Sequence, residues 1–285
     1  MDFLVSVVLP LGLAFIMFSL GTGLVPDDFL RVLRRKGAFL TGALCQIILI
    51  PVITFLIIQA FGITGELAVG FMILSACPGG VTSNVISRLS RADVALSVSL
   101  TAVISLTSMV TVPLILSVAL ATFLDAPATQ ISIAGTAITM FVLTVVPVLL
   151  GLGLRMALPT PIARLEPLLA KLAVGLFVVI VLAALASNWG LFVENLPSLG
   201  PAILCLIIVL LLIGFAIPRG LGRTLTEAKT IAIETGIQNS TLGITVEALI
   251  VEGDAFAAFA LPAAVYGILM YLVVLPAIVW FRRVD

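Results

Sequence analysis

Histidine is absent from this 285-residue chain, and only 10% of its residues are charged. The first absence removes the commonest proton relay and the commonest general base. The second excludes an ordinary soluble domain, in which roughly a quarter of residues are charged. Cysteine is scarce as well. Cys45, Cys77 and Cys205 fall inside apolar runs at spacings unlike any metal site, so buried small apolar side chains are expected rather than a disulfide or a metal centre. An intramembrane enzyme would need a nucleophile paired with a base or a metal, and the sequence supplies neither. Net charge is zero, which gives no reason to expect a nucleic-acid partner.

What the chain has is apolar length. Hydrophobic residues make up 62% of it, and mean hydropathy is +1.35. Runs of about 20 apolar residues, enough to span a bilayer, fall near 3–24, 38–60, 67–88, 93–121, 131–154, 167–187, 201–218, 229–251 and 256–281. The expected fold class is an all-α integral membrane protein with nine transmembrane helices, its surroundings the lipid bilayer.

Charge placement agrees with that count. The 14 Lys and Arg occupy alternate connections only: Arg31, Arg34, Arg35 and Lys36; Arg88 and Arg91; Arg155, Arg164 and Lys171; Arg219, Arg223 and Lys229; Arg282 and Arg283. The intervening connections, around Gly62–Glu66, Thr122–Gln130, Ser187–Gly200 and Glu252–Asp254, carry none. The positive-inside rule then puts the N-terminus outside and the C-terminus in the cytoplasm of a bacterial inner membrane. The N-terminus lacks a basic n-region and its apolar run is long enough to remain a span, so no cleaved signal is expected. Pro26-Asp27-Asp28-Phe29 and the basic residues after it read as a short surface helix among lipid headgroups. Trp189 and Phe192, in the longest exterior connection, read as interfacial anchors.

Spans three and eight are broken by polar, glycine-bearing segments: Cys77-Pro78-Gly79-Gly80-Val81-Thr82-Ser83-Asn84 and Glu234-Thr235-Gly236-Ile237-Gln238-Asn239-Ser240-Thr241. Irregular backbone in hydrocarbon persists where it lines a binding site, and paired breaks in two halves mark secondary transporters. An odd offset of five spans reverses direction across the membrane, so the nine read as an inverted repeat of four plus five.

Glu234 is the one acidic residue deep in a span, roughly 9 Å from its cytoplasmic end at 1.5 Å per residue. With no Lys or Arg in any span interior, its carboxylate needs a cation or must stay protonated. Gln238 shares its helical face and Asn239 stands beside it, a hard-oxygen set suited to Na⁺. In span three, Pro78 and Gly79-Gly80 should end one half-helix. A second half-helix should restart near Thr82-Ser83, its free amides and dipole favouring an anion. Ser83 and Asn84 are placed to cap that half-helix or to bind a cation. Ser97, Thr101, Ser105 and Ser108 line one face of span four, and Gln46 is a further intramembrane amide. Glu247 and Glu252, near the outer end of span eight, are expected to be solvated at headgroup level.

The run Cys77-Pro78-Gly79-Gly80 with Ser83-Asn84, then Asp93-Val94-Ala95-Leu96-Ser97 and Thr101, together with Glu234-Thr235-Gly236-Ile237-Gln238-Asn239-Ser240, resembles the bile acid:sodium symporter family. The resemblance extends from about Met17 to Arg283 and is closest to the nine-helix members. It implies two crossing, unwound helices within a core domain (31–124 and 198–285) and a panel domain (1–30 and 125–197; spans one, five and six) that moves against it. It implies two Na⁺ ions: one held by Ser83, Asn84, Ser97, Thr101 and Glu234, the other by Gln46, Glu234, Gln238 and the carbonyls of Thr235 and Ile237. An organic anion would meet the amides near Val81 and Thr82 and the Asn239 side chain. Val81 stands where some relatives have a hydroxyl residue, and Thr235 where others have an apolar one.

The implied activity is sodium-coupled import of an organic anion, either bile-acid-like or a small carboxylate such as pantoate or pyruvate, with no obligate protein partner and no catalysis. The alternatives are an arsenite-type carrier, suggested by Cys77, a proton-coupled carrier of the same fold, and a membrane sensor without transport. Retention of every sodium-ligand side chain argues against the first.

Overall fold

The architecture is that of a computed structural model, described for residues 7–34, 36–124, 133–187, 189–250 and 255–284. The first residues of span one, Arg35, most of the 122–130 connection and the 252–254 connection lie outside the described residues. Among those that are described there is no strand; the chain is helical almost throughout.

In chain order the helices are α1 (Leu9–Gly23), α2 (Pro26–Arg34), α3 (Lys36–Leu44), α4 (Ile50–Ala60), α5 (Gly65–Ala76), α6 (Val81–Leu89), α7 (Val94–Phe123), α8 (Ile133–Met140), α9 (Val146–Ala157), α10 (Pro159–Ser187), α11 (Trp189–Gly220), α12 (Leu225–Gly236), α13 (Ser240–Ile250) and α14 (Ala255–Arg283). Five-residue π turns, Cys45–Leu49 and Phe141–Val145, join α3 to α4 and α8 to α9. Six helical stretches among the described residues are long and apolar enough to cross a membrane. α1 and α5 are shorter apolar helices.

Both π turns have one cause. Pro51 and Pro147 stand just after them, each lacking an N–H and crowding the carbonyl four residues earlier. Widening that turn by one residue relieves the clash without ending the helix.

α11 departs from expectation. The segment 187–200, read as an exterior connection, is helical from Trp189 onward, and the helix runs through Pro197 and Pro201. Asn195 and Ser198 donate to the carbonyls of Leu191 and Asn195 at 2.9 and 3.0 Å. Those bonds go to carbonyls other than the two, of Val193 and Pro197, that the prolines leave without a backbone donor four residues on. Trp189 is exposed and its ring lies 5.2 Å from that of Phe192, as an interfacial pair would be.

α1 packs against α9 and α10. Gly21 and Gly151 make the α1–α9 approach possible: a Cβ on either would collide with backbone of the other helix, at Val148 and Phe18 respectively. Such close backbone contact is how helices associate without a hydrophobic driving force. A second set comprises α5, α7, α11, α12, α13 and α14. Leu168, Leu172, Val179 and Leu182 on α10 are all exposed, an apolar outer face suited to lipid.

The two breaks meet. α5 packs on α13 while α6 packs on α12, so the broken segments pass through each other in opposite directions. Asn239 N–H donates to Pro78 C=O across the junction at 2.8 Å.

Candidate functional site: a buried carboxylate where two broken helices cross

Cys77 leaves the α5 helix in an extended conformation, and the chain stays non-helical until α6 begins at Val81. Gly80 is the N-cap of α6 and no side chain caps it, so the first amides of α6 stay open. Ser83 and Asn84 therefore do not act as caps. Ser83 Oγ turns back to donate to Gly80 C=O at 2.7 Å. On the other side, α12 continues through Glu234 to Gly236 and the chain is non-helical over 237–239. Asn239 opens α13, its Oδ1 accepting from Leu242 N–H at 3.0 Å.

Glu234 has no exposed surface. Its Oε1 accepts from Ser97 Oγ at 2.5 Å and its Oε2 from Thr101 Oγ1 at 2.9 Å. Ser97 also lies 2.9 Å from Asn84 Oδ1 and 3.1 Å from Ser87 Oγ, and Ser83 Oγ is 3.4 Å from Thr101 Oγ1. Ser83, Asn84, Ser97, Thr101 and Glu234, the set that the resemblance implies, thus lie together. Oxygen acceptors outnumber the protons available: Ser97 has one proton for Asn84 and Glu234 together, and Ser83 spends its own on Gly80. A pocket of converging, under-protonated oxygens is what a hard cation requires. Gly79 is part of the enclosure, since a Cβ there would lie 2.8 Å from Glu234 Oε2 and 3.0 Å from Ser83 Oγ.

Gln46 sits in the first π turn, buried, with neither amide atom hydrogen-bonded among the described residues. It lies alongside the Glu234 carboxylate without an aligned hydrogen bond to it. Gln238 Nε2 donates to Thr235 C=O at 2.9 Å, leaving Gln238 Oε1 buried and unpartnered. The Thr235 hydroxyl is occupied by the carbonyls of Leu210, Ile231 and Ala232, so only its carbonyl faces the break. Ile237 is buried in the break itself. Unpartnered buried amides are expensive. A ligand held jointly by Gln46, Gln238 and Glu234 would account for these.

Asn239 Nδ2 is also unpartnered, and Asn239 and Thr82 line a cavity of about 30 Å³ at the crossing. Ile16, Phe177 and Met270 close its apolar side. The Val81 side chain lies outside the described residues. A larger cavity of about 310 Å³ runs between α1 and α10 on one side and α6 and α7 on the other, reaching from Arg88 and Glu166 to Asn84. Sequence reasoning did not anticipate it, because it lies between helices remote in the chain.

Residues 10–195 match the sequence model described as Sodium Bile acid symporter family. The chain belongs to that family. The sodium bile acid symporter family consists of membrane transporters, not enzymes. Among similar proteins, a Bacillus subtilis (strain 168) protein named as an uncharacterized sodium-dependent transporter, YocS, is 30% identical over 243 residues, covering 84% of this chain and 73% of its own. The rabbit (Oryctolagus cuniculus) ileal sodium/bile acid cotransporter is 30% identical over 245 residues, covering 85% and 69%. The rice (Oryza sativa subsp. japonica) probable sodium/metabolite cotransporter BASS2, chloroplastic, is 30% identical over 239 residues, covering 81% of this chain. The chain spans 54% of that rice protein's length.

One correction concerns Glu247. Placed by sequence at headgroup level, it has no exposed surface, and among the described residues neither carboxylate oxygen has a hydrogen-bond partner. Position along a span fixes depth, but the neighbours that cover a residue come from other spans.

Proposed function

We propose that the chain is a sodium-coupled symporter that imports a small organic anion by alternating access. The observation that carries this reading is the Glu234 carboxylate, sealed at the crossing among oxygens short of protons. One Na⁺ is held by Ser83, Asn84, Ser97, Thr101 and Glu234. A second is held by Gln46, Glu234, Gln238 and the carbonyls of Thr235 and Ile237, and the orphaned amide atoms of Gln46 and Gln238 are its support.

The substrate carboxylate meets the open amides at Val81 and Thr82, where the α6 dipole favours negative charge. Asn239 Nδ2 is the free donor beside it. Sodium bound at Glu234 cancels the repulsion that a second carboxylate would otherwise meet there, which is the physical basis of coupling. The 30 Å³ of space at the crossing favours a compact carboxylate head over a bulky one.

Nine spans in an inverted repeat of four plus five fit the reciprocal packing of the broken halves. The panel is 1–30 with 125–197, and the core 31–124 with 198–285. The mutual packing of α1, α9 and α10 supports the panel. The 310 Å³ cavity runs between panel and core helices and holds Arg88, a residue of the cytoplasmic charge set. This conformation is therefore open to the cytoplasm, in a bacterial inner membrane with the N-terminus outside.

The test is uptake by purified protein in liposomes, using a panel of small carboxylates. An imposed Na⁺ gradient should drive accumulation with a Hill coefficient above one for sodium. Two Na⁺ with one monovalent anion move net charge, so an inside-negative potential should accelerate uptake, at about 2.3 kcal/mol per charge per 100 mV. Uptake driven equally by choline or by a proton gradient would overturn the reading.

A further inference from the structure

Glu247 is a second buried carboxylate, outside everything assigned to sodium or substrate. It lies two turns beyond the crossing on α13 and is wholly enclosed. Among the described residues neither of its oxygens has a hydrogen-bond partner. Its helical face is shared with Ser240 and Gly243. A Cβ at Gly243 would meet Ala263 at 3.0 Å, Leu74 at 3.7 Å and the Cys77 thiol at 3.8 Å. The face therefore packs between α5 and α14, away from the cavity that Thr241 lines on the same helix.

The surroundings decide what the carboxylate can hold. Among the described residues, α1 and α8 carry no titratable group. Just past α5 the thiol of Cys77 is within electrostatic range of Glu247, while Glu66 sits exposed in the first turn of α5. On α14 the Tyr266 hydroxyl is committed to Gly236 C=O. The basic end of α14 lies beside the start of α12, where Lys229 Nζ donates to Val284 C=O at 2.6 Å. The charged residues of α10 lie in its first half, where Glu166 lines the cavity that holds Arg88. Among the described residues no cation faces Glu247, and leucine, alanine and a thiol cannot build the oxygen shell that a metal ion needs. An ionised carboxylate enclosed in this way is strongly disfavoured. A proton neutralises it and requires no shell.

We propose that Glu247 is a proton-binding site separate from the Glu234 site, and that its bound proton keeps the far half of α13 packed against α5 and α14. Loss of the proton puts a charge into that seam. The stable response is to admit water, which also exposes the neighbouring Cys77 thiol. Rising pH therefore opens this seam and falling pH seals it. The opening is local and does not require the panel to move.

The test uses Cys77 as the only thiol, with Cys45→Ala and Cys205→Ala, and follows its alkylation by a water-soluble maleimide in detergent. Rates are compared with the same protein carrying E247Q, whose amide imitates the protonated carboxyl. The ratio removes the rise in thiol reactivity that both proteins share, and because a charged Glu247 would itself disfavour the nearby thiolate and slow alkylation, a rise in the ratio reports water entry. Over the pH range in which the protein stays folded the ratio should rise with pH, by as much as about tenfold per unit, since each pH unit shifts the neutral-to-charged ratio tenfold. The thermal midpoint of the Glu247 protein should also fall with rising pH relative to E247Q and to E247M. A constant ratio with parallel midpoints would overturn the proposal. So would failure of E247Q to fold where the Glu247 protein folds, because a neutral side chain of the same shape must be accepted.

Discussion

Replacing Gly79 with Ala probes the enclosure of Glu234 by backbone alone. The Gly79 backbone is outside the left-handed region, so alanine meets no conformational penalty and the substitution tests space only. Its Cβ would sit 2.8 Å from Glu234 Oε2, where ordinary contact begins at 3.4 Å. The carboxylate must retreat by the difference, about 0.6 Å. The Thr101 hydrogen bond, now 2.9 Å, lengthens towards the limit of useful geometry. A hydrogen bond to a charged group is worth roughly 1.5–3 kcal/mol. If sodium binding depends on this arrangement, half-saturation should move to sodium concentrations about 10-fold to 150-fold higher, at 1.4 kcal/mol per tenfold. The assay is a sodium titration of the thermal unfolding midpoint at constant ionic strength, because a ligand of the folded state raises apparent stability by mass action. A G79A titration superimposable on that of the unmodified protein would refute the reasoning, since the break would then not be setting the carboxylate's position.

Two further outcomes are expected. Asn239→Ala should leave the sodium titration nearly unchanged while weakening substrate-dependent uptake by about tenfold, the scale of one lost hydrogen bond of roughly 1.4 kcal/mol; its Oδ1 also caps α13, so N239S, which keeps a neutral capping oxygen but loses the amide donor, should show the same selective defect. In a cysteine-accessibility scan, a thiol at Glu194 should react from the exterior and one at Arg283 from the cytoplasm; reaction on the opposite sides would break the nine-span orientation.

Much of this site could be read from the chain. Pro78 with Gly79-Gly80 cannot continue a helix, so the first break was legible from backbone chemistry alone. Ser97 and Thr101 stand four residues apart, and helical periodicity put their hydroxyls on one face before any partner was known. Glu234 stood out because no Lys or Arg shared a span interior with it. What escaped depended on contacts between distant segments. Gln46 was visible as an amide, but the π turn that holds it follows from Pro51 acting on the preceding turn. Trp189–Gly220 reads as connection plus span because prolines at 197 and 201 look like breakers, whereas the helix runs through both. Glu247 was misplaced because its burial is created by α5 and α14. The cavity holding Arg88 and Glu166 arises only when α1 and α10 face α6 and α7.

The measurement closest to the central claim is the sodium-specific stabilisation of purified Glu234→Gln protein. Glutamine keeps the size of the side chain; its oxygen can accept from one of Ser97 and Thr101 and its NH2 can donate to the hydroxyl oxygen of the other, but it removes the charge at the crossing. The unmodified protein should gain thermal stability from NaCl well beyond that given by equal KCl or choline chloride. The E234Q protein should fold, and NaCl should stabilise it no more than KCl does. Sodium-specific stabilisation of E234Q equal to that of the unmodified protein would contradict the account, because the carboxylate would then hold no sodium.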